Sequence, residues 1–229
     1  MTIGMIGAME EEVEGLAEKL EEKQEEVCAG MRFLTGRIAG KEVALVCSGI
    51  GKVNAAVAAS ILAERFHADC ILNTGIAGGI APEVKLGDIV LSTDCLEHDF
   101  DVTAFGYEKG VIPRMKTSTF PADQKLLELA KSCEEGLTSG VTLHTGRVVS
   151  GDLFVASREK KEELYRDGSC CEMEGAAIAH TAYLYGLPYL VIRAISDQAD
   201  MKAAENYPAF TEQAIRNFLA LTLRMLEAL

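Results

Sequence analysis

Residues 169–197, SCCEMEGAAIAHTAYLYGLPYLVIRAISD, decide how this chain is built. The stretch begins as a short strand, SCCEME, and passes into the small apolar residues of a helix closed by Gly186. It then ends in an apolar strand, LPYLVIRAISD. Four charges interrupt this otherwise buried reading: Glu172 and Glu174 at the mouth of the helix, Arg193 inside the second strand and Asp197 at its end. Burying a carboxylate costs several kcal/mol unless it is paired or hydrogen-bonded. These four residues therefore need partners or a purpose.

The same alternation extends in both directions. TIGMIG reads as a first strand, followed by a helix from Glu10 to about Lys23 with Val13, Leu16 and Leu20 on one face. RFLTGRIAG and KEVALVCSG are two strands around a tight Ala39–Gly40 turn. An alanine-rich helix runs from Lys52 to about Phe66, and CILNTG is a buried strand. GDIVLSTDCLEHDFDV is a long strand region, and PADQKLLELAKSCEE a helix opened by Pro121 and Asp123. VTLHTGRVVSG is a strand, SREKKEELYRDG a helix, and the chain finishes in a long helix from Pro208. Strands alternating with helices imply a parallel or mixed sheet covered by helices. No linker, low-complexity stretch or repeat divides residues 1–229, so one α/β domain is expected.

Composition narrows the function classes. The chain is 48% hydrophobic and 25% charged, as a folded globular protein is. No run approaches the roughly 18 apolar residues of a membrane span. MTIGMIGAMEEE lacks the basic flank and long apolar region of a signal peptide, so a cytoplasmic location is expected. The net charge of −13 argues against nucleic acid, whose binding rests on clustered Lys and Arg. Much of the acid, in EEKQEE and the helix before it, reads as a solvated face. The seven cysteines are scattered apart from Cys170–Cys171, with no C-x-x-C, and read as free thiols. The four histidines have no metal-ligand spacing, so neither metal nor cofactor is implied.

In α/β sheets, ligands bind where strands end and loops begin. Six junctions here carry suitable chemistry: GAMEEE, CSGIGKVN, NTGIAGG, VSGDLF, CEMEG and RAISDQAD. Each has a plain alternative. Gly75–Gly79 after CILNT lacks the features of a Walker or dinucleotide loop and reads either as a structural turn or as a close approach of backbone to ligand. Ser48–Lys52 admits simple helix capping. Of Glu10, Glu11 and Glu12, any one stabilises a first helical turn, and one has scope to reach into the pocket and act on a water. Asp197 is a helix cap or an acid at a strand end. Arg193 needs a carboxylate partner. In a strand Glu172 and Glu174 would share a side. Two such carboxylates suit a diol, each accepting from a sugar hydroxyl, and favour positive charge on the sugar.

Together GAMEEE, SGIGKVNAA, NTGIAGG, GDIVLS, DVTAFGYE, VSGD, EMEGAAIAH and RAISD resemble the 5′-methylthioadenosine/S-adenosylhomocysteine nucleosidases of the purine nucleoside phosphorylase superfamily. The resemblance runs nearly end to end. It implies a single three-layer α/β domain, a central mixed β-sheet flanked by helices, and hydrolysis of 5′-methylthioadenosine and S-adenosylhomocysteine to adenine and the 5′-substituted ribose. An apolar 5′ pocket would extend this to 5′-deoxyadenosine. GAMEEE points to the hydrolytic branch, since a glutamate at the nucleophile's position repels phosphate.

By resemblance, Glu12 positions and deprotonates the attacking water, Asp197 protonates the adenine at its seventh nitrogen, and Glu174 binds a ribose hydroxyl. Met173 packs on the sugar with Glu172 nearby, Arg193 supports the water and Glu12, and Ser196 orients Asp197. Phe154 stacks on the base and the Val155 backbone bonds its edge. Met9, Ile50, Gly78 and Tyr207 are further pocket residues, Tyr207 standing where the family usually has phenylalanine. Ile76 replaces a serine found in many members, which removes one possible hydrogen bond to the water. Val102, Phe105 and Pro113 match positions that line the neighbouring subunit's pocket in family dimers, so a homodimer is implied. Two alternatives stay open: a phosphorylase or related nucleosidase acting on another 5′ group, and a nucleoside-binding protein without catalysis.

Overall fold

The computed structural model describes residues 1–135, 137 and 140–229. Strand β1 (Thr2–Gly7) leads into helix α1 (Glu10–Ala17), followed by β2 (Glu21–Cys28), β3 (Met31–Ile38), β4 (Lys41–Cys47), α2 (Lys52–Glu64) and β5 (Cys70–Gly79). Then come β6 (Ile89–Glu97), the short β7 (Thr119–Pro121), α3 (Gln124–Ser132), β8 (Leu143–Ser150) and α4 (Arg158–Tyr165). β9 (Cys170–Glu172), α5 (Gly175–Tyr185), β10 (Tyr189–Asp197) and α6 (Ala203–Ala228) complete the chain.

These strands form one mixed sheet with helices on both faces. Val13 and Leu16 of α1, Leu127 of α3 and Phe218 of α6 share one apolar cluster. The other face is covered by α2 and α5, where Ala55, Ala58, Ala59, Ala176, Ala179 and Ala182 are fully buried. Small side chains on both helices allow close approach to the sheet and to each other.

The sheet also closes on itself. β5 runs between β10 on one side and, on the other, β1 at its start and β9 at its end. β10 pairs antiparallel with β6, β6 parallel with β8, and β8 parallel with β9, which returns to β5. β1, β4, β3 and β2 form an open wing beside this ring. Every residue of β5 is buried, which explains its unbroken apolar and small-residue sequence.

Four boundaries differ from the sequence reading. α1 stops at Ala17, and the acidic run from Glu21 is the edge strand β2, paired among the described residues only with β3. Its residues are largely exposed, so no alternation marks it, and its charges discourage pairing with another chain. Gly75–Gly79 is not a turn but the second half of β5, and none of its glycines has a positive φ. β9 ends at Glu172, leaving Glu174 as the residue that caps α5. α6 starts at Ala203, so Pro208 lies inside it. The expected Ala39–Gly40 turn is present, with φ of 49° and 75° matching a two-residue hairpin turn.

Candidate active site

A cavity of about 380 Å³ opens where β1, β5 and β10 end beside the ends of β8 and β9. That volume lies within the range of small-molecule sites. Its wall includes Met9, Glu12, Ile50, Gly78, Phe154, Val155, Glu172, Met173, Glu174, Ser196, Asp197 and Tyr207. Twelve residues nominated from the sequence thus meet in one place, although they come from seven separate segments.

Glu12 sits in the first turn of α1. Glu10 and Glu11 are exposed, whereas Glu12 is only 2% exposed. Its carboxylate reaches back to the start of its own helix, where Oε2 accepts the N–H groups of Ala8 (2.7 Å) and Met9 (3.1 Å). Oε1 accepts the Ile76 N–H across the sheet at 2.9 Å. Helix electrostatics and a pocket-facing acid are therefore the same residue. Burial pushes its pKa up, opposed by the Arg193 charge and these three donors.

Asp197 ends β10 at a bulge that re-aims the strand, and is 3% exposed. Its Oδ1 accepts the Ala199 N–H at 2.8 Å, and its Oδ2 accepts the Ser196 hydroxyl at 3.0 Å. Burial is the main cause of its raised pKa.

Arg193 lies behind the cavity wall, fully buried within β10, and finds the carboxylates its sequence context demanded. Nη2 donates to Glu172 Oε2, to Asn73 Oδ1 at 2.7 Å, and lies 3.6 Å from Glu174 Oε2. Nη1 is 3.5 Å from the Ile76 carbonyl.

The two acids of CEMEG are not equivalent, and strand alternation does not relate them. Glu174 has φ −132° and ψ −40°, outside the strand. Besides Arg193, Glu172 Oε2 accepts the N–H groups of Glu174 (3.0 Å) and Gly175 (2.7 Å), satisfying the start of α5. Its Oε1 accepts the Ser150 hydroxyl, whose oxygen accepts the Ala176 N–H at 2.6 Å. The oxygens of Glu172 are thus engaged by protein donors. Glu174 is different: Oε1 accepts the Gly51 N–H at 2.9 Å, while among the described residues Oε2 has only Arg193, 3.6 Å away. Burial, then the Glu172 charge, push its carboxyl up to about 7.

Around this polar floor the wall is apolar. Phe154 stands half-exposed at the rim, edge-on to Tyr207 with ring centres 6.1 Å apart. The Tyr207 hydroxyl donates to Met9 Sδ at 3.1 Å. Val155 is buried and Ile50 exposed. Val102, Phe105 and Pro113 are outside this cavity: Phe105 is 82% exposed in the turn Thr103–Phe105, and Pro113 borders a separate depression. No group of three or more His, Cys, Asp or Glu among the described residues is arranged to hold a metal ion.

Three contributors were missed from the sequence. Asn73 fixes the Arg193 guanidinium and donates its own amide to the Ile6 carbonyl at 2.9 Å. Its signal was present, an amide inside the apolar strand CILNTG. Ser150 ties Glu172 to α5 but looks like any strand-end serine. Gly75 lies where an added Cβ would come 2.6 Å from Glu12 Oε1 and closer still to Arg193 Nη1.

Residues 2–227 match the family model of the phosphorylase superfamily. A 5′-methylthioadenosine/S-adenosylhomocysteine nucleosidase from Bacillus thuringiensis is 41% identical, with the whole of both chains covered. The crystal structure of such a nucleosidase from Neisseria meningitidis in complex with methylthio-immucillin-A superposes with a TM-score of 0.95. Its identity is 40%, covering 100% of this chain and 99% of that one. A further nucleosidase of the same description, from Colwellia psychrerythraea in complex with adenine, gives 0.94 at 40% identity, covering 99% and 94%. An acid-rich cavity at the sheet ends and full-length similarity agree: this chain belongs to the phosphorylase superfamily and, within it, to the 5′-methylthioadenosine/S-adenosylhomocysteine nucleosidases.

Proposed function

We propose that residues 1–229 form one nucleosidase domain that hydrolyses the N-glycosidic bonds of 5′-methylthioadenosine and S-adenosylhomocysteine, releasing adenine and the 5′-substituted ribose. The apolar rim extends this to 5′-deoxyadenosine. The observation that carries the reading is the charge of the cavity. Glu12, Glu172, Glu174 and Asp197 line it, and among the described residues no lysine, arginine or histidine does. The cation directly behind the wall, Arg193, already faces Glu172 and Glu174. Such a site repels phosphate and favours water as nucleophile and a cationic sugar as transition state.

Each residue then has a task. Glu12, held by three N–H donors and made more basic by burial, orients a water and takes its proton. Glu174 accepts a ribose hydroxyl, while Glu172 and Arg193 hold that edge in place. The carboxylates stabilise the oxocarbenium-like sugar. Adenine leaves poorly as an anion, so Asp197, whose pKa burial raises, protonates its seventh nitrogen, with Ser196 orienting the acid. Phe154 stacks on the base and the Val155 backbone bonds its edge. Met9, Met173, Ile50 and Tyr207 enclose the sugar and its 5′ group. Ile76 contributes its N–H to Glu12 but no side-chain donor to the water. In a homodimer the exposed Phe105, with Val102 and Pro113, would complete the partner's 5′ pocket. A cytoplasmic enzyme fits this chemistry.

Asp197→Asn tests the assignment. Adenine release from 5′-methylthioadenosine should fall about 10²–10⁴-fold, the usual worth of a positioned acid, with KM little changed. A near-wild-type rate would remove Asp197 from the acid role.

A further inference from the structure

Lys52 opens α2, where a positive charge meets the positive end of the helix dipole. The first turn of α2 has no acidic residue to offset it. The placement makes sense only through what Lys52 reaches. Its Nζ donates to Asp99 Oδ1 at 2.6 Å and to Glu97 Oε2 at 3.1 Å, just beyond and at the end of β6. The side chains of Lys52 and Glu97 are mostly buried, at 18% and 12% exposure, so the pair is shielded from solvent more than a surface ion pair is.

The contacts close into a ring. Asp99 Oδ2 accepts the Asp152 N–H at 2.9 Å, and Asp152 Oδ1 accepts the Lys52 N–H at 2.9 Å. Three segments are fixed to one another: the end of β6, the loop after β8 that carries Phe154, and the start of α2. Glu97 Oε1 faces His180 Nδ1 of α5 at 3.1 Å, linking the ring to the helix that Glu174 caps. One residue before Lys52, the Gly51 N–H points at Glu174 Oε1. Gly51 holds φ at 99°, and an added Cβ would lie 3.1 Å from Asp152 Oδ1. The peptide that donates to Glu174 is therefore set by the ring.

We propose that Lys52 is a positioning residue, which through Glu97, Asp99 and Asp152 holds the Gly51 N–H on Glu174 and so aims that carboxylate at the sugar hydroxyl. This inference rests on the proposed nucleosidase activity and on Glu174 as the sugar ligand. Lys52 itself touches no substrate.

The test pairs a protein change with a substrate change. kcat/KM is measured for wild type, Lys52→Met and Lys52→Arg on 5′-methylthioadenosine and on its 2′-deoxy and 3′-deoxy analogues. Lys52→Met should lose about tenfold on the parent nucleoside, the worth of a hydrogen bond to a charged group. On the analogue lacking the hydroxyl that Glu174 accepts, the loss should shrink below about twofold, because aligning Glu174 no longer matters. Lys52→Arg should restore most of the activity. Equal losses on all three substrates, or no loss on the parent, would overturn the inference and leave the nucleosidase reading intact. A wild-type protein that releases no adenine would overturn both. If Lys52→Met does not fold, Asp99→Asn opens the same ring and is carried through the same comparison, with the same outcomes deciding.

Discussion

Gly75→Ala is the smallest change that should separate the two most deeply placed charges of the site. Gly75 lies in β5, paired in register with Arg193 of β10, so neither backbone can yield without breaking a buried ladder. Its φ is outside the left-handed region, and alanine meets no backbone penalty. The obstacle is steric. The new Cβ would sit 2.6 Å from Glu12 Oε1 and 3.1 Å from its Cδ, with Arg193 Nη1 nearer still. Ordinary contact requires the carboxylate to retreat by roughly 1 Å. That movement stretches the 2.9 Å bond from the Ile76 N–H and displaces the proposed base from its water. A misplacement of about 1 Å at a catalytic group costs roughly 10²-fold, which is the expected fall in kcat/KM for 5′-methylthioadenosine. Overpacking a rigid core costs about 1–3 kcal/mol, and each of these lowers Tm by roughly 2–4 °C in a chain of this size. Adenine release and a thermal melt read the two effects. Gly30→Ala, at φ 76° with open space around it, is the control with strained backbone and an untouched site. A Gly75→Ala enzyme within about threefold of wild type would refute the claim that the Glu12 and Arg193 positions set the rate.

Ser150→Ala should lower stability by about 1–3 kcal/mol, since it strips Glu172 Oε1 of its donor and leaves the Ala176 N–H without an acceptor. Thermal melts check this, and an unchanged Tm would mean that water replaces the hydroxyl freely. Glu174 supplies a pH dependence. Its carboxyl is raised from an ordinary 4.5 to about 7, so the folded state holds this proton more tightly. The group's stabilising contribution is full below about pH 4.5 and is lost as pH rises through about 7. The Tm of wild type relative to Glu174→Gln should accordingly fall across that window, and a rise would contradict the sign. As the proposed sugar ligand, Glu174 acts ionised, so kcat/KM should climb as pH passes through about 7, with Glu174→Gln losing that limb.

Much of the site was readable because charges inside apolar runs are costly enough to need a reason. Arg193 within LPYLVIRAIS, Asp197 at its end and the two glutamates before an alanine-rich helix each announced a partner or a purpose. What a single sequence does not carry is which partner. Glu172 and Glu174 looked alike under strand alternation, and only the early end of β9 makes one a structural anchor and the other an open acceptor. The same limit applies to Gly75–Gly79. Glycines suggest turns locally, but here they let β5 run straight past Glu12 and Asp197, which crowd where side chains would stand. Strand β2 is not legible in the sequence, and its first residues read as the end of the preceding helix, because an exposed edge strand has no buried face to impose a period. Closure of the sheet depends on β5 accepting β10 on one side and both β1 and β9 on the other, a pairing that no local pattern encodes. Lys52 was legible only as a capping-region residue until its ring of partners appeared.

The central claim is that water, activated by Glu12, takes the place of phosphate. The most direct test is turnover of 5′-methylthioadenosine in heavy-oxygen water with phosphate present, followed by mass spectrometry of the sugar product. The account predicts free methylthioribose carrying one heavy oxygen at its anomeric carbon, with adenine released in equal amount whether or not phosphate is added. A methylthioribose 1-phosphate, formed only when phosphate is present, would contradict it.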